Sequence, residues 1–202
     1  VDPFNIELGV TTPFFPRENT PNGGPVPPGC QLATSARPND ANGAKGVTLM
    51  HFQALLAPPE PLPPTAETAA GALLFAANGC GDCHRPRLRT VKDYYLPLAD
   101  GTVTRVAALS NKTFAPYSDL LLHEMGPGLE DGRVMGRAGT RFWRTTPLWG
   151  ARFKSRFLHD GSAASVHDAI EAHGGESAGS RARYDALPIA QQRAVSAFVN
   201  SL

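Results

Sequence analysis

Cys80, Cys83 and His84 are the residues in this sequence whose types and spacing are most specific to one chemistry. In Cys80-x-x-Cys83-His84 two thiols sit three residues apart and an imidazole follows at once. That spacing suits thioether bonds from both cysteines to the two vinyl groups of a haem, with the histidine delivered to one face of the ring as an iron ligand. The competing readings are weaker. A redox dithiol of the thioredoxin type needs a βαβ context, and none is visible. A zinc site needs two further close ligands, and the chain has only three cysteines, the third being Cys30. The motif therefore predicts one covalent haem c, held through Cys80 and Cys83, with His84 on the iron.

The other side of the iron has several candidates: His51, His123, His159, His167, His173, Met50, Met125, Met135 and the tyrosines. Helical geometry separates two of them. On a helix expected over 165–173, His173 shares a face with Val166, Ala169 and Ile170, whereas His167 points toward Glu171 and solvent. Gly174 and Gly175 then let the chain pass close to a ring. The plain alternative for His173 is a buried histidine hydrogen-bonded to backbone, or a partner of the helix dipole. Geometry alone leaves this choice open.

The elements that must position these residues are short. The chain has 202 residues, room for one domain with an irregular arm. Its 20 Gly and 19 Pro are about a fifth of the chain, against about 12% on average, so a regular bundle or doubly wound sheet throughout is excluded. A prosthetic group would organise such loops. The fold expected is mainly α: a cytochrome c-like domain over 65–202 with about five short helices and extensive Gly/Pro-rich loops, preceded by an irregular arm or linker over 1–64. The helices are read near Val47–Leu56, from the N-cap Thr65 to Asn78-Gly79, over Leu120–Met125, over Ser165–His173 and over Pro188–Leu202. Residues 86–116 are mixed, with strand-like alternation around Thr102–Ala107, and 126–164 read as loop.

The balance of 19 Lys+Arg against 18 Asp+Glu gives no basic surface for nucleic acid. No apolar run approaches the roughly 20 residues of a membrane-spanning helix. No signal peptide is read at the start, so Val1 is expected to be a mature or a cut end.

Several further segments bear a resemblance. Thr146-Pro147-Leu148-Trp149-Gly150, then Phe157-Leu158-His159-Asp160-Gly161, then Ala169-Ile170-x-x-His173 resemble the C-terminal haem domain of bacterial di-haem cytochrome c peroxidases. Tyr117-Ser118-Asp119-Leu120-Leu121-Leu122-His123-Glu124-Met125-Gly126-Pro127, Trp143-Arg144-Thr145-Thr146-Pro147, His173-Gly174-Gly175 and Gly9-Val10-Thr11-Thr12-Pro13-Phe14-Phe15-Pro16 resemble the di-haem oxidoreductase branch, also called thiol oxidoreductases. The resemblance spans nearly the whole chain. It implies that the distal ligand stands at the end of the helix after the His-Asp-Gly turn, a position held by Met in the peroxidases and here by His173. It also implies that the C-terminal haem is six-coordinate and handles electrons.

Two departures qualify it. The family carries a second Cys-x-x-Cys-His in an N-terminal domain, and this chain has one. The family's amino-terminal loop usually holds a cysteine pair, whereas Cys30 is single; it is expected to be a buried free thiol, with a bridge to another domain or subunit as the alternative. The chain is then expected to be a C-terminal portion, a processed piece or a one-haem descendant.

Bis-histidine ligation by His84 and His173 leaves no open iron site and favours a low potential. Phe75, Trp143, Trp149 and Phe157 are expected to pack around the ring. Arg144, with Arg137, Arg141 and Arg152, is a candidate partner for haem propionates, or part of a solvated basic loop. His159 with Asp160 is read as an oriented pair near the ring edge or as a structural turn. The function expected is one-electron transfer with a redox partner protein or a second haem domain. The alternatives are the C-terminal part of a di-haem peroxidase or oxidoreductase whose catalytic haem lies elsewhere, and a structural haem subunit of a larger complex. Haem c attachment implies a place outside the cytoplasmic membrane, in the periplasm or its equivalent.

Overall fold

A computed structural model of the chain describes residues 11, 17, 25–30, 43–98, 100–134 and 137–202, the side chains of 43–45 excepted. Most of the proline-rich start, the Gly9–Pro16 motif apart from Thr11, and the ligand candidate Met135 lie outside the described residues. In chain order the regular elements are α1 (Gly43–Leu55), α2 (Ala66–Ala77), β1 (Leu88–Arg89), β2 (Tyr95–Pro97), β3 (Val103–Arg105), β4 (Thr113–Phe114), β5 (Leu122–Glu124), β6 (Phe142–Arg144), α3 (Val166–Glu171), α4 (Ala178–Asp185) and α5 (Ile189–Ser201). The fold is mainly α, with three two-stranded antiparallel ladders, β1–β4, β2–β3 and β5–β6. Among the described residues no helix is long and apolar enough to cross a membrane.

Contacts divide the chain into two units. The first joins Val1–Ala57 with Thr90–Asn111. It holds α1 and the β2–β3 hairpin, and His51 Nε2 lies 2.6 Å from Pro97 O within it. Since a carbonyl only accepts, that ring nitrogen donates. Helix α1 begins earlier than the apolar face alone suggests, and Phe52 and Leu55 on that face are exposed.

The second unit joins Pro58–Arg89 with Lys112–Leu202 and contains every other element. Thr65 starts α2 as expected: its hydroxyl accepts Thr68 N–H while the Thr68 hydroxyl accepts Thr65 N–H at 2.8 Å. The Ala-rich helix then lays Gly71 and Phe75 against α5, whose inner face is Ala194, Val195, Phe198 and Val199. The approach is close. A Cβ on Gly71 would overlap the Ala194 carbonyl and come within 2.9 Å of Phe198 Cβ. The last carbonyls of α5 find donors elsewhere: Leu62 N–H bonds Ser201 O at 2.7 Å, and Gly150 N–H and Arg152 both bond Leu202 O. Around this helix pair Phe75, Ala151, Val166, Tyr184, Val195, Phe198, Val199 and Leu202 form the core.

Two readings of the sequence need correction. Leu120–Met125 is not a helix. Its central residues form β5, paired Leu122 to Arg144, His123 to Trp143 and Glu124 to Phe142. Tyr117 and Leu120 have φ of 51° and 62°, which a right-handed helix does not accept, and Asp119 Oδ1 caps Leu121 N–H at 2.9 Å to launch the strand. Three successive leucines fit either period, and a partner strand inside the segment read as loop decides it. Cys30 is exposed, not buried; Pro27 O accepts its N–H in a tight turn, which leaves the thiol at the surface. Helix α4 was not expected, because its Arg-, Ser- and Gly-bearing sequence has little apolar face beyond the buried Tyr184.

The contact between α2 and α5 yields a direct test. Gly71→Ala is expected to cost about 1 to 3 kcal/mol in urea denaturation, since backbone, not a flexible side chain, stands in the way. Gly46→Ala on α1 meets open space and is expected to be neutral or stabilising by up to about 1 kcal/mol.

Candidate functional site

Helix α2 ends at Asn78, and Gly79 turns the chain with φ 77°. A Cβ at Gly79 would meet only the mobile end of the Arg183 side chain, at 2.6 Å, so it is the left-handed φ that favours glycine here. Cys80–Asp82 then form one 3₁₀ turn, and His84 N–H closes it onto Cys80 O at 2.9 Å. Both thiols and the imidazole thus project from a single turn. Burial pushes the Cys80 thiol up to about 11. Cys83 is raised too, first by burial and then by the negative charges of Asp119 and Glu176. Both are thiols near neutral pH.

His84 is held by one backbone bond: its Nδ1–H donates to Tyr117 O at 2.9 Å. His173 mirrors it, with Nδ1–H donating to Ala169 O at 2.6 Å. Because each acceptor is a carbonyl, the proton sits on Nδ1 and the Nε2 lone pair is left for a ligand. Burial drives the His84 pKa down to about 4, against the Tyr117 bond and helped by the nearby His173. His173 is lowered as well, again chiefly by burial. Both rings are therefore neutral at pH 7, the form that binds metal.

The two ring centroids are 6.5 Å apart with the planes tilted by 42°. Two imidazoles on opposite sides of one metal ion, each nitrogen about 2.0 Å from it, have centroids about 6 to 6.5 Å apart. Two neutral, oriented imidazoles at that spacing, with two thiols on the turn of one of them, form a donor set that fits a haem. Phe75 lies 6.2 Å from the His84 ring and continues through Tyr117 and Phe198 into the core.

A second cluster adjoins Cys83. His123 Nε2 is 2.9 Å from Asp119 Oδ2, and its Nδ1 is 2.8 Å from Glu176 Oε2 and 3.8 Å from Cys83 Sγ. With a carboxylate at each nitrogen, the doubly protonated ring donates to both, and the two carboxylates favour that imidazolium form. The Glu176 bond raises the His123 pKa most, desolvation opposes it, and Asp119 adds to the rise. In Asp119 burial pulls upward but is outweighed by bonds from Leu121 N–H, His123 and Thr145. Ser118, fully buried, ties the same segment down: its N–H bonds Arg85 O, its hydroxyl donates to Thr145 O at 2.7 Å and accepts Leu120 N–H.

The remaining candidates are more dispersed. Trp143 stacks on exposed His159 at 3.7 Å and 16°, and its Nε1–H bonds Leu129 O. Asp160 Oδ1 accepts Ser162 N–H, so that residue holds a turn. Trp149 packs toward Phe114, while Phe157 is bridged to Ala163 and packed on the core. Arg144 is exposed on β6, Arg141 is paired with Glu130, and Arg152 is bonded to Leu202 O and Glu60 O. His167 bonds the Tyr184 hydroxyl on the outer side of α3, and Met125 Sδ lies 3.9 Å from Ser177 Oγ. His51 and Met50 belong to the first unit, and Arg137 is exposed.

Sequence reasoning did not single out Tyr117 as a main-chain acceptor, nor Ser118, Asp119 or Glu176. Asp119 precedes the helix expected over Leu120–Met125, so its pairing with His123 is not visible in that reading. Glu176 is 53 residues from its histidine, and only folding brings them together.

The His123 bridge has a defined pH signature. A histidine whose folded pKa is raised stabilises fully below its ordinary value of 6.5 and loses that contribution as pH rises through the folded value. Asp119 and Glu176 are held below their usual range and stay charged throughout. The Tm gap between wild type and His123→Gln is therefore expected to be widest just below pH 6.5 and to narrow as pH rises.

A family model described as "Di-haem oxidoreductase, putative peroxidase" matches residues 7–202. No curated protein and no solved structure matches the chain. The match covers nearly the full length, Cys80, Cys83, His84 and His173 included. The chain belongs to the di-haem oxidoreductase family.

Proposed function

We propose that the chain is a cytochrome c-like domain that carries one haem c, bound covalently through Cys80 and Cys83 and ligated by His84 and His173, and that it transfers single electrons. The observation that carries this reading is the pair of neutral imidazoles with centroids 6.5 Å apart, each with Nδ1 already bonded to a backbone carbonyl. When bound, the haem supplies one-electron redox chemistry at its iron. The chain's own residues orient both ligands and keep them deprotonated at Nε2. Phe75, with Tyr117 and Phe198 behind it, excludes water on the His84 side. Two histidines, in place of a histidine and a methionine, set a low potential. The partner in this reading is a redox protein or a second haem domain, and the location is outside the cytoplasmic membrane, where haem c is attached.

A second reading is favoured by one observation. The family is described as di-haem, while these 202 residues hold one Cys-x-x-Cys-His. On that reading a further haem, carried by another segment or chain, reacts with peroxide or another oxidant, and this domain feeds it electrons.

Optical and EPR spectroscopy with a haem count test the proposal. One haem per chain is expected, resistant to acid–acetone extraction, ferric and low-spin, without a sulfur–iron band. His173→Ala is expected to turn it high-spin; an unchanged low-spin spectrum removes His173 as ligand. A haem count of two on the native assembly, with one five-coordinate, would favour the second reading.

A further inference from the structure

The turn that follows His173 is pressed onto the end of β5. A Cβ on Gly174 would lie 2.9 Å from Met125 O, and one on Gly175 would overlap Glu124 O and approach Gly126 N at 2.7 Å. In the other direction, a Cβ on Gly126 would lie 3.0 Å from Gly175 N. Gly126 and Gly175 have φ of 83° and 51°, so conformation and contact both require glycine. Glu176 fastens this contact with both carboxylate oxygens: Oε1 accepts Glu124 N–H at 3.0 Å, and Oε2 accepts His123 Nδ1–H at 2.8 Å. The other His123 nitrogen reaches Asp119, two residues from the Tyr117 carbonyl that orients His84. A continuous path thus runs from the His84 acceptor through Asp119, His123 and Glu176 to the His173 turn.

We propose that His123, bridged by Asp119 and Glu176, is a positioning residue that sets the spacing between His84 and His173. The inference rests on the ligation proposed above and assigns the bridge its role in it. His173's own bond to Ala169 O orients its ring, but both partners belong to the end of α3, so that bond does not tie the ring to the segment that holds His84. The bridge supplies that side-chain tie, because it joins the turn after His173 to the segment that holds the other ligand. Ion-paired hydrogen bonds at both nitrogens make it directional as well as strong. Outer partners of this kind commonly change ligand affinity by about 10- to 100-fold when removed.

The test uses the ferric holoprotein and cyanide as the probe that replaces His173. Glu176→Ala removes both acceptors and is expected to speed cyanide entry about tenfold or more and to split the low-spin EPR signal into a mixed population. Glu176→Gln keeps an acceptor for Glu124 N–H but loses the ion pair, and a smaller acceleration of about two- to fivefold is expected. A role in general stability alone would lower Tm and leave the cyanide rate unchanged. Wild-type cyanide rates in Glu176→Gln overturn the proposal, whether or not Glu176→Ala folds. His173→Ala, run in parallel, separates the two levels: if it turns high-spin while the Glu176 variants behave as wild type, only the positioning role fails. If it stays low-spin, the ligation reading fails and the positioning role with it.

Discussion

Two imidazole N–H groups donating to two main-chain carbonyls are the interaction on which this site depends. Each bond fixes a ring's rotation, its tautomer and the direction of its remaining lone pair in one step. Both acceptors are free for a structural reason. Helix α3 tightens as it ends, so that His173 N–H bonds Ile170 O and leaves Ala169 O for the ring above it. Tyr117 takes a left-handed backbone conformation, φ 51°, and its carbonyl accepts the His84 ring. A non-glycine residue stays there only because its surroundings hold it. Buried Ser118, bonded to Arg85 O, Thr145 O and Leu120 N–H, is that hold.

The helices matter to the site mainly as walls and endpoints. α2 and α5 meet at Gly71 and Ala194 and fix where Asn78 lies, and with it the start of the Cys80 turn. α3 fixes Ala169 and His173. Around these endpoints the short ladders β1–β4 and β5–β6 are joined by loops, which side chains order by capping backbone groups: Asp119, Asp160, Ser118 and Glu176 each satisfy at least one N–H. The abundance of glycine has a local meaning at 126, 174 and 175, where two backbone segments touch and no side chain fits between them. Desolvation completes the arrangement. Burial keeps His84 and His173 neutral, whereas at His123 the Glu176 and Asp119 carboxylates outweigh desolvation and favour the charged ring. Two kinds of histidine therefore lie within one small region, ligand-ready and ion-paired, and environment alone distinguishes them.

Residues adjacent in sequence carry their chemistry in the open. Cys80-x-x-Cys83-His84 needs one turn to act together, and a turn is a local structure. The caps at Thr65 and Ser165, the apolar faces of α2 and α5, and the inward face of α3 that His173 continues just past its end follow from helical periodicity, which is also local. What escaped the sequence was non-local or non-periodic. β5 looked helical because three leucines fit either period, and its partner β6 lies about 20 residues away in a stretch without an apolar pattern. Cys30 looked like a buried thiol because cysteine usually is, and nothing near it signals a surface turn. The acceptor role of Tyr117 belongs to its main chain, which the identity of a side chain does not encode.

By itself, then, the amino-acid sequence displays the Cys80-x-x-Cys83-His84 spacing, the short helix that ends just before His173, and the family to which the chain belongs, because each is written in short-range spacing or in motif order. Only the tertiary structure decided that the two imidazole centroids lie 6.5 Å apart, that both rings are neutral, and that Asp119, His123 and Glu176 join the two segments. Those properties depend on distances between segments 50 to 90 residues apart and on how much water the fold excludes. Neither quantity exists until the chain has closed on itself.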